Sequence, residues 1–334
     1  MEQIEFVKSD LITSRIGLGT WAMGGWMWGG TDEAQSIATI RSAIDRGVTL
    51  IDTAPVYGFG RSEEIVGKAL EGSLRQKVTI ATKVGLAWKD DAVYRDSRPA
   101  RIRKEIEDSL RRLRTDVIDL YQVHWPDFEM PIAETARTLE DLRREGKIRA
   151  IGVSNFSPTQ MRMFSADAQL DAVQPPYNLF ERDIEVDILP YAVGAGLTVL
   201  SYGALCRGLL SGRMDADTKF NGDDLRNIDP KFQGKRYLQY LAAVDELEKL
   251  AHERFGKSVL ALALRWVLDQ GPTIALWGAR NPSQLDPIGD VEGWHIDSAA
   301  EAEIDAVLKR CIVDPVSPAF MAPPVTRPKQ QEAA

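Results

Sequence analysis

The stretch at residues 50–70, LIDTAPVYGFGRSEEIVGKAL, predicts one strand, one turn and one helix. Its apolar start ends at Asp52, and a helical pattern with two early Glu residues begins near Ser62. The turn between them contains Tyr57. A loop that only reversed the chain would need neither the acid nor this tyrosine, so the stretch predicts a β/α unit with a site at its turn.

The same unit recurs along the chain. Apolar strands are predicted at 15–19, 48–52, 78–83, 117–123, 148–153, 170–174, 197–201 and 273–276, with segments of helical period between most of them. Continuous apolar strands separated by helices are typical of parallel sheets that helices cover. Eight such units predict a single (β/α)8 TIM barrel over residues 1–334. A small hairpin near residues 4–12 is expected to close its floor.

Two segments depart from this repeat. Residues 205–239 form a long polar insertion after the seventh strand, which we expect to be a lid or a cofactor-covering loop. Residues 312–334 contain five Pro residues and end in QQEAA, which predicts an extended C-terminal tail.

Composition excludes several classes of partner. A net charge of −8 makes nucleic acid or an anionic membrane surface an unfavourable general partner. No apolar run approaches membrane-spanning length, and the acidic start does not have the pattern of a signal peptide. Only two cysteines are present, Cys206 and Cys311, which is typical of a reducing cytoplasm. We therefore expect a cytoplasmic protein; oligomeric state has no signal in the sequence.

Polar residues gather at the carboxyl ends of the predicted strands, where barrels carry their chemistry. In strand order these ends are Gly19-Thr20, Asp52, Lys83, His124, Ser154-Asn155, Gln174, Ser201-Tyr202 and Gly278. The strand bodies are otherwise largely apolar. Any one of these side chains could be a cap or a rim residue, but together they predict a site.

Asp52, Tyr57, Lys83 and His124 form a group with a plausible chemistry. A free tyrosine has a pKa of about 10. A nearby ammonium favours the phenolate, so we expect Lys83 to lower the pKa of Tyr57 and Asp52 to keep Lys83 charged. His124 could orient a carbonyl or relay a proton. The group predicts proton donation to a carbonyl oxygen, and no metal site is predicted.

These motifs resemble those of the aldo-keto reductases over nearly the whole chain. The similar segments include GLGTW at 17–21, DTAPVYG at 52–58, IRAIGVSNF at 148–156, QPPYN at 174–178 and GARNPSQL at 278–285. YGALCRGLLSG at 202–212 is most similar to a bacterial branch that reduces small aldehydes. The resemblance implies hydride transfer from NADPH to a small carbonyl compound, with Tyr57 as general acid, Lys83 and Asp52 assisting, and His124 positioning the carbonyl.

The resemblance also implies a cofactor site. Ser154, Asn155 and Gln174 would hold the nicotinamide carboxamide, and Tyr202 would stack on its ring. No G-x-G-x-x-G follows a strand, so the phosphates are expected at the loops after strands seven and eight. The cofactor-binding residues predicted at the first strand and these two loops are Gly19, Thr20, Trp21, Ser201, Leu205, Arg207, Gly208, Gly278, Arg280 and Gln284.

Cofactor choice has opposing signals. Arg280 is expected to hold the 2′-phosphate of NADP(H), because a guanidinium binds phosphate in two places. Pro287 and Ile288 depart from the family pattern and lack the groups that contact adenine. For the substrate, indole side chains in the loops after the early strands predict an aromatic-walled pocket. Its predicted members are Trp21, Trp28, Trp88 and Trp125.

Two other functions remain open from the sequence. The chain could be a non-catalytic module that binds nicotinamide nucleotides, or a Schiff-base aldolase in which Lys83 attacks a carbonyl.

Overall fold

The computed structural model describes residues 1–325, which include a closed barrel of eight parallel strands. The strands are β1 Gln3–Glu5, β2 Ile12–Ser14, β3 Ile16–Gly19, β4 Leu50–Asp52, β5 Thr79–Val84, β6 Leu86–Lys89, β7 Ala92–Arg95, β8 Ile118–Val123, β9 Ile148–Ser154, β10 Ala172–Gln174, β11 Thr198–Ser201 and β12 Thr273–Gly278. Around the barrel, β3, β4, β5, β8, β9, β10, β11 and β12 follow one another in chain order. Pairing of β12 with β3 closes the barrel, and the predicted fold is confirmed.

Helices surround this barrel. They are α1 Trp21–Gly24, α2 Glu33–Asp45, α3 Arg61–Ala69, α4 Pro99–Leu113, α5 Ile132–Arg144, α6 Pro158–Ser165, α7 Ile188–Gly194, α8 Gly234–Phe255, α9 Val259–Asp269 and α10 Ser298–Cys311. Four of them, α2, α6, α9 and α10, start at a side-chain cap; Asp32 accepts from the Gln35 amide, and Ser157 forms a capping box with Gln160. Seven of the helices, α2 to α7 and α9, return the chain to the start of the next barrel strand, so all barrel strands end at one rim.

The barrel is packed through its centre. Its inner cluster comprises Leu50, Ala81, Leu120, Ala150, Ala172, Leu200, Ile274 and Leu276, and Phe6 and Leu11 from the β1–β2 hairpin join it. Pairing of β1 with β2 forms the predicted floor hairpin. Close packing leaves no room for a side chain at Gly17, because a Cβ there would lie 2.8 Å from Leu276 Cδ2. Side chains therefore fill the centre of the barrel. The rim formed by the carboxyl ends of the strands lies at the end opposite to the β1–β2 hairpin.

The insertion after the seventh barrel strand differs from its predicted bounds. Helix α8 begins at Gly234, so the insertion covers residues 202–233 and not 205–239. Short 3-10 helices at Cys206–Ser211, Leu225–Asn227 and Pro230–Phe232 organise it.

The described part of the C-terminal tail follows the rim. The Val316 amide donates to the Tyr240 hydroxyl, and the Pro323 carbonyl accepts from Arg95 beside the β6–β7 hairpin. Residues 326–334 of the predicted tail lie outside the described residues. Among residues 1–325, no helix combines the length and apolar character that crossing a membrane requires. A cytoplasmic location stays a prediction.

Candidate active site

Four side chains meet at the rim where the second, third and fourth barrel strands end. Asp52 is the last residue of β4, Lys83 lies on β5, and His124 directly follows β8. Tyr57 lies in the turn between β4 and α3 and is 9% exposed. Parallel pairing of β4 with β5 and of β5 with β8 brings these ends together. The structure therefore brings together the four residues that the sequence singled out.

Lys83 and Asp52 form a buried ion pair. Lys83 Nζ donates to Asp52 Oδ1 at 2.9 Å, to Asp52 Oδ2 at 2.8 Å and to the Thr53 carbonyl at 3.0 Å. An ammonium has three N–H donors, so all of them are used. Burial lowers the pKa of Lys83, while the charge of Asp52 acts in the opposite direction. Asp52 therefore favours the charged form of a lysine that burial would otherwise discharge.

Tyr57 lies above this ion pair. Its ring centroid is 5.1 Å from Lys83 Nζ, and it stacks on Trp21 with centroids 5.8 Å apart. The turn that presents it depends on close backbone packing with α1. Gly58 has φ +67°, and a Cβ there would lie 2.1 Å from the Gly24 carbonyl oxygen. Glycine is thus required directly after the tyrosine by both conformation and space.

The predicted lowering of the pKa of Tyr57 is wrong in direction. Burial of the phenol raises its pKa well above the ordinary value, and the charge of Asp52 adds to this effect. The Lys83 ammonium does not reverse this shift, because its donors are taken up by Asp52 and Thr53. Tyr57 therefore keeps its proton at neutral pH, as a proton donor must.

His124 packs edge-on against Tyr57, with ring centroids 5.7 Å apart. Its backbone amide donates to the Val84 carbonyl at 2.8 Å, which ties it to the end of β5. Burial lowers the pKa of His124 well below its ordinary value, and the charge of Lys83 lowers it further. The imidazole is therefore neutral at neutral pH, and it has one N–H to offer a carbonyl oxygen.

Gln174 has a different partner from the one predicted. Its Nε2 donates to Asp52 Oδ1 at 2.8 Å, so its amide supports the ion pair. Gln122 on β8 joins the same carboxylate from 3.5 Å. The sequence prediction missed Gln122, although a polar residue two positions before His124 in an apolar strand was its signal.

Ser154, Asn155 and Tyr202 also meet at the rim. Ser154 Oγ donates to the Gln174 carbonyl at 2.7 Å, and Asn155 Nδ2 donates to the His124 carbonyl at 3.1 Å. Tyr202 Oη donates to Asn155 Oδ1 at 2.9 Å. These contacts link the ends of β8, β9, β10 and β11. The partly exposed ring of Tyr202 leaves a flat apolar surface for a bound ring.

Thr20 is buried and its hydroxyl already has protein partners. Thr20 Oγ1 donates to the Asp52 carbonyl at 2.9 Å and lies 2.8 Å from Ser62 Oγ. The hydroxyl is therefore engaged within the protein, and a cofactor contact of Thr20 stays a prediction. Gly19, which pairs with Asp52 in the barrel, and Trp21 remain at the partly exposed edge.

Arg207 does not face a phosphate site. Its Nη2 lies 2.6 Å from Glu181 Oε1, and its Nε lies 2.6 Å from Asp229 Oδ2. Lys231 Nζ contacts Glu181 at 2.9 Å, which completes a buried cluster of two cations and two anions. Burial would raise the pKa of Glu181, but the charges of Arg207 and Lys231 lower it to about 2. The guanidinium of Arg207 thus anchors the insertion, and a cofactor contact of this residue stays a prediction.

Substitution Arg207→Met is expected to destabilise the fold by about 3–5 kcal/mol, because an unbalanced buried charge would remain. Denaturant unfolding measures this change. Arg213→Met is the matched control, since Arg213 is an exposed cation of the same insertion and its loss should cost less than about 0.5 kcal/mol. Equal losses in the two variants would contradict an anchoring role for Arg207.

The neighbours of Arg207 form a tight turn. Cys206, Arg207 and Gly208 all have positive φ, and the Gly208 amide donates to the Leu205 carbonyl at 2.9 Å. Leu205 is 8% exposed and packs into the core. Of the predicted phosphate contacts in this loop, only backbone groups and the half-exposed Gly208 remain available.

Arg280 is half-exposed and joins two loops. Its Nη1 donates to the Trp28 carbonyl at 2.9 Å, and its Nη2 donates to the Gly30 carbonyl. Gln284 Oε1 accepts from the Arg280 amide at 2.6 Å, which fixes the loop after β12. Gly278 at the end of β12 is exposed, with no atom within 4 Å of a Cβ position. This loop therefore offers an open surface beside a guanidinium.

The predicted aromatic pocket is present in part. Trp28 meets Trp21 edge-on at 5.6 Å, and Trp21 in turn stacks on Tyr57. Trp88 packs against the buried cluster that contains Tyr57, and its ring lies 5.6 Å from that of Phe59. Trp125 lies under the guanidinium of Arg95 at 5.2 Å. Trp21, Trp88 and Trp125 therefore pack around the cluster that contains Tyr57, and Trp28 joins it through Trp21.

The insertion and the tail contribute residues that the sequence prediction did not place at the site. Asp223 accepts from the amides of Met27 and Gly29 at 2.7 and 2.9 Å. This contact joins the insertion to the loop that carries Trp28. Phe320 of the tail lies 5.7 Å from the Arg207 guanidinium. Within residues 1–325, no group of three or more His, Cys, Asp or Glu side chains is arranged to hold a metal.

Comparison with known proteins places this geometry among characterised folds. The sequence model of the Aldo/keto reductase family matches residues 15–309. The aldo-keto reductase YhdN of Bacillus subtilis is 57% identical over 326 residues, which cover 97% of this chain and 98% of that protein. The NADH-specific methylglyoxal reductase of Escherichia coli is 38% identical over 301 residues, which cover 85% and 91% of the two chains.

Two solved structures resemble this fold over most of the chain. The glycerol dehydrogenase of Gluconobacter oxydans superposes with a TM-score of 0.87 at 58% identity, covering 96% of this chain and 99% of that one. An aldo/keto reductase of Klebsiella pneumoniae, solved in complex with NADP and acetate, gives a TM-score of 0.72 at 29% identity. That match covers 92% of this chain and 95% of the other.

Proposed function

The chain belongs to the aldo/keto reductase family, and on that premise we propose that it reduces small aldehydes and ketones to alcohols with NADPH. The observation that carries the proposal is the protonated, buried Tyr57 above the Lys83–Asp52 ion pair. A carbonyl substrate needs a proton on oxygen as its carbon is reduced, and this arrangement supplies a donor with a cation beneath it.

The side chains divide the work of proton delivery. Tyr57 Oη gives its proton to the carbonyl oxygen, and the neutral His124 ring donates a hydrogen bond that orients that oxygen. The phenolate that forms lies over the Lys83 ammonium, 5.1 Å from the ring centroid to Nζ, and this charge stabilises it. NADPH, when bound, supplies the hydride. Asp52 keeps Lys83 charged throughout.

The direction of the reaction depends on the protonation of Tyr57. Its raised pKa favours the proton-donor form at neutral pH, and therefore reduction. Alcohol oxidation needs the phenolate as a base, so that direction gains as pH rises. A relative named as a glycerol dehydrogenase is compatible with one site running in both directions.

Several groups fit a nicotinamide nucleotide. Ser201 Oγ is buried with no partner among residues 1–325, and Gln174 ends the neighbouring strand β10. Together with the ring of Tyr202, they would hold the nicotinamide end. Gly278 and Arg280 would face the phosphates. The insertion at 202–233 would cover the cofactor, a role supported by the contact of Asp223 with Met27 and Gly29.

Cofactor preference tests the role of Arg280. Arg280→Ala is expected to weaken NADPH binding by about tenfold while changing NADH binding little, because charge-assisted bonds to the 2′-phosphate would be lost. Larger losses are not expected, since Arg280 must first release the Trp28 and Gly30 carbonyls. Fluorescence titration with both cofactors measures the effect. Arg213→Ala is the exposed control.

Equal losses of NADPH and NADH affinity in Arg280→Ala would remove the main support for NADP. The relatives differ in the cofactor that their names or structures give. One is named as NADH-specific, and another was solved with NADP.

The activity itself is tested by NADPH oxidation with a panel of small aldehydes and ketones. Consumption of NADPH with at least one of them supports an enzyme over a non-catalytic nucleotide-binding module. A Schiff-base aldolase would need an unprotonated Lys83 that can reach a substrate, whereas its nitrogen is buried and donates three hydrogen bonds. Borohydride trapping of a carbonyl compound on Lys83 would instead support the aldolase.

A further inference from the structure

Gln122 is a fully buried amide near the carboxyl end of β8. On β8 it lies between Tyr121 and Val123, and its side chain points to Asp52. Gln122 Nε2 is 3.5 Å from Asp52 Oδ1, and Gln122 Oε1 accepts from Gln174 Nε2 at 3.5 Å. Burying an amide costs free energy unless it is hydrogen-bonded. An apolar side chain would suit this strand better unless the amide served the site.

The neighbouring strand makes room for this amide. Gly152 on β9 pairs directly with Gln122, and a Cβ on Gly152 would lie 2.8 Å from Gln122 Cγ and 3.1 Å from its Oε1. The backbone of Gly152 does not have the positive φ that favours glycine, so space is what the position requires. Through this gap Gln122 reaches Gln174 on the strand beyond, β10.

The two amides converge on one carboxylate oxygen. Gln174 Nε2 is 2.8 Å from Asp52 Oδ1, and Gln122 approaches the same oxygen from β8. Lys83 contacts both oxygens from β5. Donors from three strands therefore surround a carboxylate that ends a fourth, which restricts both its position and its rotation.

We propose that Gln122 is a positioning residue that, with Gln174, holds Asp52 so that Lys83 stays charged beneath Tyr57. The inference rests on the proposed carbonyl reduction. Gln122 itself touches neither the phenol nor any reacting atom. Its contribution passes through Asp52 to Lys83, and its loss should change how the site titrates more than what the site binds.

The test is Gln122→Met, which keeps length and volume but removes both hydrogen bonds. Turnover should fall about threefold to tenfold, with NADPH affinity from fluorescence titration nearly unchanged. The basic limb of the turnover–pH profile should move to lower pH. A less firmly held Asp52 supports the charge of Lys83 less, so the ammonium is lost earlier as pH rises.

Gly152→Ala is an independent second variant, since its methyl group displaces the Gln122 side chain without changing it. It should move the basic limb in the same direction, and the double variant should move it no further than Gln122→Met alone. A purely structural role predicts a lower Tm with activity scaled equally at every pH, and superimposable profiles would overturn the inference. If the wild-type protein reduced no carbonyl compound with NADPH, the proposed function would be overturned, and this inference with it.

Discussion

Tyr57→Phe is expected to lower turnover by about 100-fold or more, while NADPH affinity changes little. The substitution removes one oxygen and keeps the ring that stacks on Trp21 and meets His124 edge-on. Because the packing survives, the loss measures the proton donor itself. His124 is neutral and has one N–H, so it can polarise the carbonyl oxygen but is a poor replacement for the phenol.

Steady-state reduction of a small aldehyde measures turnover, and tryptophan fluorescence measures cofactor affinity. Tyr191→Phe is the matched control, since it removes a hydroxyl from α7 on the outside of the barrel. Its turnover should equal that of the wild type. Near-normal turnover in Tyr57→Phe would remove Tyr57 from the mechanism and leave its position above Lys83 without a chemical role.

The strand ends were predictable because two simple regularities coincide there. Apolar period locates each strand, and barrel topology brings the carboxyl ends to one rim, so Asp52, Lys83 and His124 had to meet. Tyr57 was predictable because it lies in the turn after the strand that ends at Asp52. Helix α9 has no amphipathic period that its sequence could show, because ten of its eleven residues are buried.

The partners of charged loop residues were less predictable. Arg207 and Arg280 both occur in glycine-containing loops after late strands. Arg207 nevertheless pairs with Glu181, 26 positions earlier, whereas Arg280 contacts carbonyls about 250 positions away. Sequence spacing does not encode such contacts. The predicted direction of the Tyr57 pKa shift was wrong for a related reason. That direction depends on whether burial of the phenol or the charge of Lys83 has the larger effect, and the donors of Lys83 point to other groups.

Lys83→Met is expected to have two large effects, one on chemistry and one on stability. Reduction should slow by about 100-fold or more, because the phenolate loses the cation beneath it. The fold should lose about 3–5 kcal/mol, because Asp52 would keep a buried charge with only the amides of Gln174 and Gln122 as side-chain partners. Burial lowers the pKa of Lys83, so the wild type should lose activity as pH rises through that value. The variant should lack this limb.

The double variant Asp52→Asn with Lys83→Met separates the two effects. It removes both charges and leaves no unpaired ion, so much of the stability should return. Turnover should stay low, because nothing charged remains to stabilise the Tyr57 phenolate. Denaturant unfolding and aldehyde reduction, measured on the same samples, give both quantities. If activity returned together with stability, Lys83 would act only by neutralising Asp52, and the electrostatic role proposed for it beneath Tyr57 would be wrong.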